Sequence, residues 1–443
     1  MAGLSRRGLL SVSAALCALC APALAADGYF LNGYGPRQKA LGGAGVADSR
    51  DAMSLSINPA GLVDLPRELQ LGVTALIVNR GYSTTGQPLV VAPGDVRSGR
   101  PVFPIPHDAY SAPIDGDSAW GTASYANGGI NTAYDFGHYR APAGGPYGGG
   151  FAGVDLEQNF TTAGYARKFG AISIGVAPTL AVQMLNVQGL KSFSAYSSSP
   201  DHLSDNGYDW SVGGGIRAGL QWRITEQLRF GLAGSTPMYM TAFRKYSGLL
   251  ADGGRLDIPA TVIAGLAYDV VPDVTVMADW RHIFYSGVPT LHNSSFPLRL
   301  NSFGSPNGVG YDWQDTNSAS FGVEWRATPG LALRAGYHYS TNPIPSRAAS
   351  FNVLTPVINM HNVSGGFSYA VTKNSTIDFS AIYAFKNNTR GIEALPQTAQ
   401  NPYGAYNPNA TVNLWLQGLE LTIGWTYKFD PDDHSFIPRL DRL

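Results

Sequence analysis

Apolar and polar residues alternate with a period of two along much of this chain, most regularly between Leu419 and Phe429. The odd positions of that segment are Leu, Leu, Ile, Trp, Tyr and Phe, whereas the even positions run from Glu420 to Lys428 through Thr and Gly. Successive side chains of a β-strand point to opposite faces, so the segment predicts a strand with one apolar and one polar face. Its closing aromatic residues are typical of the interfacial girdle of a membrane barrel.

The same alternation recurs along the chain and predicts fourteen strands. Pro104 and Pro106 argue against regular pairing in the second of them, because proline cannot donate a hydrogen bond to a neighbouring strand. The predicted strands are 68–82, 101–112, 118–135, 154–169, 171–190, 207–225, 227–246, 254–271, 273–288, 310–327, 330–343, 357–372, 375–390 and 410–429.

The connections between these strands alternate between tight turns and mostly longer segments. Six are tight, as at Asp115-Gly116-Asp117 and Pro329-Gly330, and seven are more variable, as at 289–309. Bacterial membrane barrels have an even strand number, short periplasmic turns and longer outer loops. The pattern therefore predicts an all-β fold, a 14-stranded antiparallel transmembrane β-barrel with both ends on the periplasmic side.

Composition favours the membrane barrel over a soluble β-sandwich, which would share the alternation. Charged residues make up 14% of the chain, below the roughly 25% of soluble domains. Glycine accounts for 53 of 443 residues and aromatic residues for 11%. A sandwich would explain neither the asymmetry of the turns nor the outward aromatic residues on nearly every predicted strand.

Residues 1–25 are predicted to be a cleaved signal peptide. Arg6 and Arg7 form a basic start, an apolar stretch too short to span a membrane follows, and Ala23-Leu24-Ala25 is a small-residue cleavage site. Ser5-Arg6-Arg7 also resembles a twin-arginine signal. We favour an ordinary secretion signal, because barrel proteins cross the inner membrane unfolded.

Removal of this segment changes both the charge and the cysteine content. Loss of Arg6 and Arg7 leaves 28 basic and 31 acidic residues, a net charge of −3, which gives no basic bias toward nucleic acid. Cys17 and Cys20 lie within the signal, so the mature chain is expected to lack disulfides and cysteine-based metal sites. We expect no metal and no cofactor.

Residues 26–67 do not alternate and contain a short motif, Asn58-Pro59-Ala60-Gly61-Leu62. A segment of about 40 residues before a barrel can fill its lumen as a plug. Pro59 fixes its own φ and Asn58 can hydrogen-bond its own turn, so the motif predicts a rigid bend. The alternative is a simple turn that leads into the first strand.

This motif, together with Gly42-Gly43-Ala44-Gly45 through Asp51, resembles the FadL family of outer-membrane channels for long-chain fatty acids and other hydrophobic compounds. The resemblance covers nearly the whole mature chain. It implies an N-terminal hatch over 26–67, with Asn58, Pro59, Ala60 and Gly61 as the hatch motif, and a barrel over 68–429. The family usually ends at the last aromatic residue, whereas residues 430–443 continue here and are expected to be a periplasmic tail.

Two further sets of site residues follow from the resemblance and from the alternation. Family members have an inward kink in the third strand that opens a lateral gate, and Asn127-Gly128-Gly129 would form it here, although glycine is common throughout this chain. The alternation turns Arg217, Arg281 and Arg334 into the lumen. They could pair with a ligand carboxylate. We favour the alternative that they pair with Asp279, Glu324 or hatch residues and hold the plug.

The resemblance implies passive uptake of hydrophobic compounds in the outer membrane of a Gram-negative bacterium. Expected partners are fatty acids, alkanes or aromatic hydrocarbons, outer-membrane lipid and lipopolysaccharide, and the barrel-assembly machinery; we expect a monomer. A general or substrate-specific porin for small polar solutes is the alternative, although a plug argues against an open pore. The protein is not expected to be an enzyme, since neither H-E-x-x-H nor G-x-S-x-G is present.

Overall fold

Fourteen long strands form one antiparallel sheet that closes on itself. The computed structural model describes residues 27–134, 145–148 and 150–430. The strands are β1 (Glu68–Gly86), β2 (Val102–Pro113), β3 (Ser118–Tyr134), β4 (Ala152–Phe169), β5 (Ile172–Gln188), β6 (Asp209–Arg223), β7 (Leu228–Ser235), β8 (Thr261–Val271), β9 (Val274–Ile283), β10 (Thr316–Thr328), β11 (Leu331–Ser340), β12 (His361–Ala370), β13 (Ser375–Leu395) and β14 (Ala405–Lys428).

Pairing of the first and last strands closes the barrel. The β14 strand pairs with β1 from Glu68 opposite Lys428 to Gly86 opposite Ala410. Every other strand pairs with its neighbours in chain order, and two short strands, Asp95–Arg97 and Tyr239–Met240, pair with β1 and β6. The predicted closed barrel of fourteen antiparallel strands is confirmed.

The two faces of the wall differ as the alternation predicts. Large apolar residues such as Phe321 and Ile423 point outward and are more than half exposed, at 52% and 55%. Polar side chains of the same strands, such as Glu324 and Thr422, are buried inside at about 1% exposure. A transmembrane barrel has this arrangement, with apolar residues toward lipid and polar residues toward the lumen.

Several strand ends differ from the sequence prediction. The seventh strand ends at Ser235, not at residue 246, because Pro237 cannot continue the ladder and Arg244–Tyr246 forms a 3₁₀ turn. The outer ends of β8 to β12 are also shorter than predicted by several residues, whereas β13 and β14 extend further. Loops with their own polar contacts therefore replace predicted strand ends.

The second strand forms despite its prolines. Residues 102–111 of β2 pair with β1, with Pro104 opposite Ala75 and Pro106 opposite Val73. Its pairing with β3 is much shorter and begins only at His107. The two prolines lie in the part of β2 that does not pair with β3. Their lack of an N–H group therefore costs no hydrogen bond to β3.

The residues before β1 fold inside the barrel. We call residues 27–67 the N-terminal segment; it contains a short helix, α1 (Gly35–Ala40), and two 3₁₀ helices, Ala52–Ser56 and Pro59–Asp64. Almost all of its residues are buried, and it packs against inward-facing atoms of most strands. No helix in the described part of the chain is long and apolar enough to cross a membrane. The predicted signal peptide lies outside the described residues, as does the predicted tail beyond Asp430.

Candidate functional site

Asn58 joins three parts of the molecule. Its side-chain oxygen accepts a hydrogen bond from the Ala60 N–H at 3.0 Å and so caps the 3₁₀ helix Pro59–Asp64. Its side-chain amide donates to the Val46 carbonyl at 2.8 Å and to the Leu220 carbonyl of β6 at 3.1 Å. The motif therefore forms a rigid bend that is fastened both to the N-terminal segment and to the wall.

Inward-facing glycines of the wall make room for the N-terminal segment. Apart from Gly128, which lies at the window described below, there are nine at which a Cβ atom would lie within 3.0 Å of an atom of that segment, closer than real Cβ contacts allow. Two of these glycines, Gly175 and Gly219, stand opposite each other across β5 and β6 and receive Pro59 and Asn58. We call the nine residues the glycine belt: Gly121, Gly164, Gly175, Gly219, Gly231, Gly322, Gly336, Gly366 and Gly424.

The wall between β2 and β3 contains a window. The two strands pair only from Pro113 opposite Ala119 to His107 opposite Tyr125. Further along, the next backbone hydrogen bond between β3 and the stretch of chain that leads into β2 joins the Gly99 N–H to the Ala133 carbonyl at 2.7 Å. Between these two points β3 pairs with β4 alone within the sheet.

The start of the N-terminal segment occupies this window. The Leu31 N–H donates to the Asn127 carbonyl at 3.1 Å, and the Gly129 N–H donates to the Tyr29 carbonyl at 3.2 Å. The Tyr34 hydroxyl also donates to the Asn127 side-chain oxygen at 3.2 Å. The chain thus supplies a short piece of strand where β2 is missing.

Gly128 allows that close approach. The pairing of β3 with β4 shifts by one residue between Ala126 and Gly128, which marks a β-bulge. Phe30 forms an antiparallel bridge with Gly128 from the window side. A Cβ atom at Gly128 would overlap the Tyr29 carbonyl oxygen. The segment Asn127-Gly128-Gly129 therefore lies at the window and touches its occupant.

The outer loops enclose an apolar cavity. All seven long connections, or the strand ends beside them, contribute to its lining, and it holds about 860 Å³ of empty space including the part open to solvent. Concave sites lined mainly by apolar and aromatic side chains take small apolar ligands. Its principal apolar side chains are Val90, Tyr147, Leu190, Phe193, Leu249, Phe296, Leu298, Phe303, Tyr311, Phe351, Leu354 and Leu395.

A row of aromatic rings leads from this outer cavity toward the window. Tyr311 lines the cavity, and its ring centroid lies 6.1 Å from that of Trp313. Trp313 lies 5.8 Å from Tyr29, which stacks on Phe30 at 5.2 Å. An apolar molecule in the outer cavity thus has aromatic contacts that continue to the residues filling the window.

The sequence matches the family described as outer membrane protein transport protein (OMPP1/FadL/TodX) over residues 17–429. The chain belongs to this family. Membership assigns it to outer-membrane transport proteins, confirms the FadL resemblance and disfavours the porin alternative. No curated protein matches the sequence.

Solved structures of low sequence identity share the fold. The Pseudomonas putida toluene transporter TodX is 17% identical, with a TM-score of 0.65 over 90% of this chain and 99% of that chain. A Pseudomonas aeruginosa FadL homologue is 16% identical, with a TM-score of 0.66 over 91% and 100%. The Ralstonia pickettii toluene transporter TbuX is 18% identical, with a TM-score of 0.62 over 90% and 99%.

One of the three predicted lumen arginines joins a buried ion network near the end of this FadL-family barrel that carries the tight turns. Arg334 donates to Glu324 at 2.6 Å, and Arg37 of the N-terminal segment donates to the same carboxylate at 2.9 Å. Arg37 also binds Asp48 at 2.6 Å, and Arg50 reaches both carboxylates. The network ties the N-terminal segment to the wall and leaves Arg334 engaged.

The other two arginines differ from each other. Arg281 forms an ion pair with Asp27 at the start of the N-terminal segment. Arg217 donates only to the backbone carbonyls of Ser56 and Ile57, and within the described residues it has no carboxylate at ion-pair distance. Arg217 and Arg281 both line an inner cavity between the N-terminal segment and β6, β8, β9 and β10.

Sequence reasoning missed the glycine belt, the contacts of Tyr29–Leu31 and the outer aromatic residues. The belt had a signal in the sequence, since glycine occupies inward positions of alternating strands where polar side chains are expected. The contacts of Tyr29–Leu31 had none, because a three-residue strand without alternation leaves no pattern. The outer aromatic residues lie in loops, whose folding a single sequence does not indicate.

Proposed function

We propose that this protein is a passive outer-membrane channel for hydrophobic small molecules, which leave the barrel sideways through the window between β2 and β3. The observation that carries the proposal is that window: the pairing of β2 with β3 stops at His107, and Tyr29–Leu31 of the N-terminal segment fills the opening. When residues 29–31 move away, this opening leads from the lumen directly into the membrane, where a hydrophobic ligand is more stable than in water.

The proposed route begins in the outer cavity. Transfer of apolar surface from water is worth about 0.8 kcal/mol per buried CH₂, so the apolar loops can capture the ligand without an energy source. The aromatic row from Tyr311 to Phe30 then leads inward, and Phe30 lines both the window and the inner cavity. Movement of residues 29–31 would open the wall to the membrane.

The ligand class rests partly on relatives. Two of the similar structures are toluene transporters and another is a monoaromatic hydrocarbon channel. We propose the same broad class here, aromatic hydrocarbons or fatty acids, and no catalytic activity.

The proposed hatch comprises residues 26–67. Its fixed base would be the motif of Asn58, Pro59, Ala60 and Gly61, and the frame of its gate would be Asn127, Gly128 and Gly129.

Four further expectations remain part of this proposal. Residues 1–25 would be a signal peptide that is cleaved on export. Residues 430–443 would form a tail in the periplasm after the barrel over 68–429. The protein would be a monomer. It would be inserted by the barrel-assembly machinery and surrounded by outer-membrane lipid and lipopolysaccharide.

The test is uptake of radiolabelled toluene and oleate by cells that lack or carry this gene. A second strain carries a sealed variant in which Asn127 is deleted and Pro104 and Pro106 are replaced by Val, so that β2 and β3 can pair without a bulge. We expect gene-dependent uptake that the sealed variant loses while the purified variant still binds toluene. Uptake that is unchanged in the sealed variant would mean that the ligand leaves through the lumen.

A further inference from the structure

Three buried polar atoms without partners line one inner cavity. The cavity lies between the N-terminal segment and strands β6, β8, β9 and β10, and its volume of about 490 Å³ includes the part open to solvent. The atoms are Nδ2 of Asn32, Nε of Arg217 and Oδ1 of Asp279, on side chains whose residues are 2%, 6% and 7% exposed. A buried polar atom that lacks a hydrogen bond is costly, so their collection in one cavity indicates a polar ligand.

Two of these side chains, Arg217 and Asp279, have no ion-pair partner among the described residues. Arg217 contacts only backbone carbonyls, and Asp279 has no cation at ion-pair distance among the described residues. The other Asp279 oxygen is already used, since it accepts the N–H groups of Gly45 and Val46 at 2.8 and 2.9 Å. The cavity therefore offers two donors and one acceptor.

The rest of the lining limits the ligand. Phe30, Ile57 and Ile263 give the cavity apolar walls. Arg281, the other cation of the cavity, is neutralised by Asp27. A carboxylate ligand would meet Asp279 without a proton to offer it, and a plain hydrocarbon would leave all three atoms unpaired. A hydroxyl group can do both tasks, because it accepts from Arg217 or Asn32 and donates to Asp279.

We propose that this inner cavity selects neutral hydroxylated hydrocarbons, such as phenols and alcohols, over hydrocarbons and carboxylates. The inference rests on the proposed channel function and specifies its substrate class. Phe30 lines the cavity and also bridges to Gly128 at the window. A ligand held here by its hydroxyl group would lie directly behind the piece of chain that must move for it to leave.

The test is calorimetric binding of three para-substituted toluenes to the purified full-length protein in detergent. The ligands are p-xylene, p-cresol and p-toluate, which differ only in a methyl, hydroxyl or carboxylate group. An apolar site would favour p-xylene, because a hydroxyl group costs free energy to remove from water. We expect p-cresol to bind more tightly than either of the others by about tenfold, the effect of one well-placed hydrogen bond to a charged group.

Two variants test the residues. Asp279→Asn can keep its carbonyl oxygen toward Gly45 and Val46 while it turns the free acceptor into a donor. Arg217→Lys keeps the charge but removes the Nε donor. Both should lose the preference for p-cresol and retain p-xylene binding, which also shows that the barrel is folded. Ser380→Ala is the matched control, since it removes an unpartnered buried hydroxyl outside this cavity.

The outcomes separate this inference from the proposed function. Equal binding of p-cresol and p-xylene would overturn the inference, with water then satisfying the three atoms, and would leave the channel proposal standing. Tightest binding of p-toluate would overturn it in favour of a carboxylate site. A p-cresol preference that survives in both variants would place selectivity elsewhere and also overturn it. Failure to bind any of the three would count against the channel proposal itself.

Discussion

The side-chain oxygen of Asn58 occupies the space where a Cβ atom of residue 219 would stand. Gly219 faces inward from β6, and the Asn58 amide donates to the carbonyl of the next residue, Leu220, at 3.1 Å. Packing of the motif against the wall therefore requires the absence of a side chain at position 219 as well as the motif itself. The glycine belt extends this dependence around the barrel.

Gly219→Ala should loosen the N-terminal segment without harming the wall. The added methyl group would overlap Asn58, and overpacking of this kind costs about 1–3 kcal/mol. We expect larger and more frequent conductance openings in planar bilayers. The folded barrel should persist, as judged by its altered gel mobility before heating. Gly365→Ala is the control, because a Cβ there meets its nearest neighbour, the Arg334 carbonyl oxygen, at an ordinary 3.5 Å. Equal conductance of the two variants would contradict the role of the belt.

Glu324 should be the most sensitive side chain of the ion network. Its carboxylate is buried and binds Arg37, Arg334, Arg50 and Arg326 at 2.6 to 3.5 Å. Glu324→Gln would leave Arg334 without a carboxylate partner among the described residues and Arg37 with Asp48 alone, and breaking a buried ion pair costs about 3–5 kcal/mol. We expect faster hydrogen exchange of residues 37–50.

The control for that experiment is an ion pair in an outer loop. Arg255 and Asp257 lie 3.2 Å apart, with the Arg255 side chain 49% exposed. Exposed pairs of this kind contribute about 0–1 kcal/mol, so Asp257→Asn should leave the exchange of residues 37–50 unchanged. If Glu324→Gln behaved like Asp257→Asn, the network would not hold the N-terminal segment.

The fold could be predicted from the sequence more fully than the site. Residues along β14 alternate because one face of the strand contacts lipid and the other faces the lumen. Every residue of the strand contributes to this pattern, so its signal in the sequence is strong. The window depends instead on a single bridge between Phe30 and Gly128, which are far apart in the chain. The sequence predicts that Arg334 and Arg281 face the lumen and pair with Asp279, Glu324 or hatch residues, but it does not say which arginine has which partner. The structure pairs Arg334 with Glu324 and Arg281 with Asp27.

Acid should release the N-terminal segment. Burial opposes ionisation of Asp48, but the guanidinium groups of Arg37, Arg50 and Arg229 outweigh it and hold the pKa of Asp48 below its ordinary value. A lowered pKa in the folded state contributes stability that is present above the unfolded pKa of about 4 and is lost as the pH falls through the folded-state value. We expect conductance to rise when the pH is lowered from about 7 to about 3.

Asp51 provides the control for this pH dependence. Burial raises its pKa, so ionisation of Asp51 works against the docked segment and its protonation in acid works in favour of it. Asp51→Asn should therefore keep the acid response. Asp48→Asn should show raised conductance already at neutral pH and little further change in acid. An acid response that persists undiminished in Asp48→Asn would assign it to other groups.

Ligand capture should depend on the aromatic residues of the outer cavity. Phe351 lines the cavity, and its ring stacks on Phe303 with centroids 5.7 Å apart. Phe351→Ala removes that apolar surface, and losing the burial of an aromatic side chain costs about 1.5–3 kcal/mol. Toluene affinity, measured by calorimetry, should fall at least about tenfold, since 1.4 kcal/mol is a factor of ten. Tyr403 is an outer-loop aromatic that is 84% exposed and does not line the cavity. Tyr403→Ala should bind toluene as the unchanged protein does, and an equal loss in both variants would refute the outer cavity as the capture site.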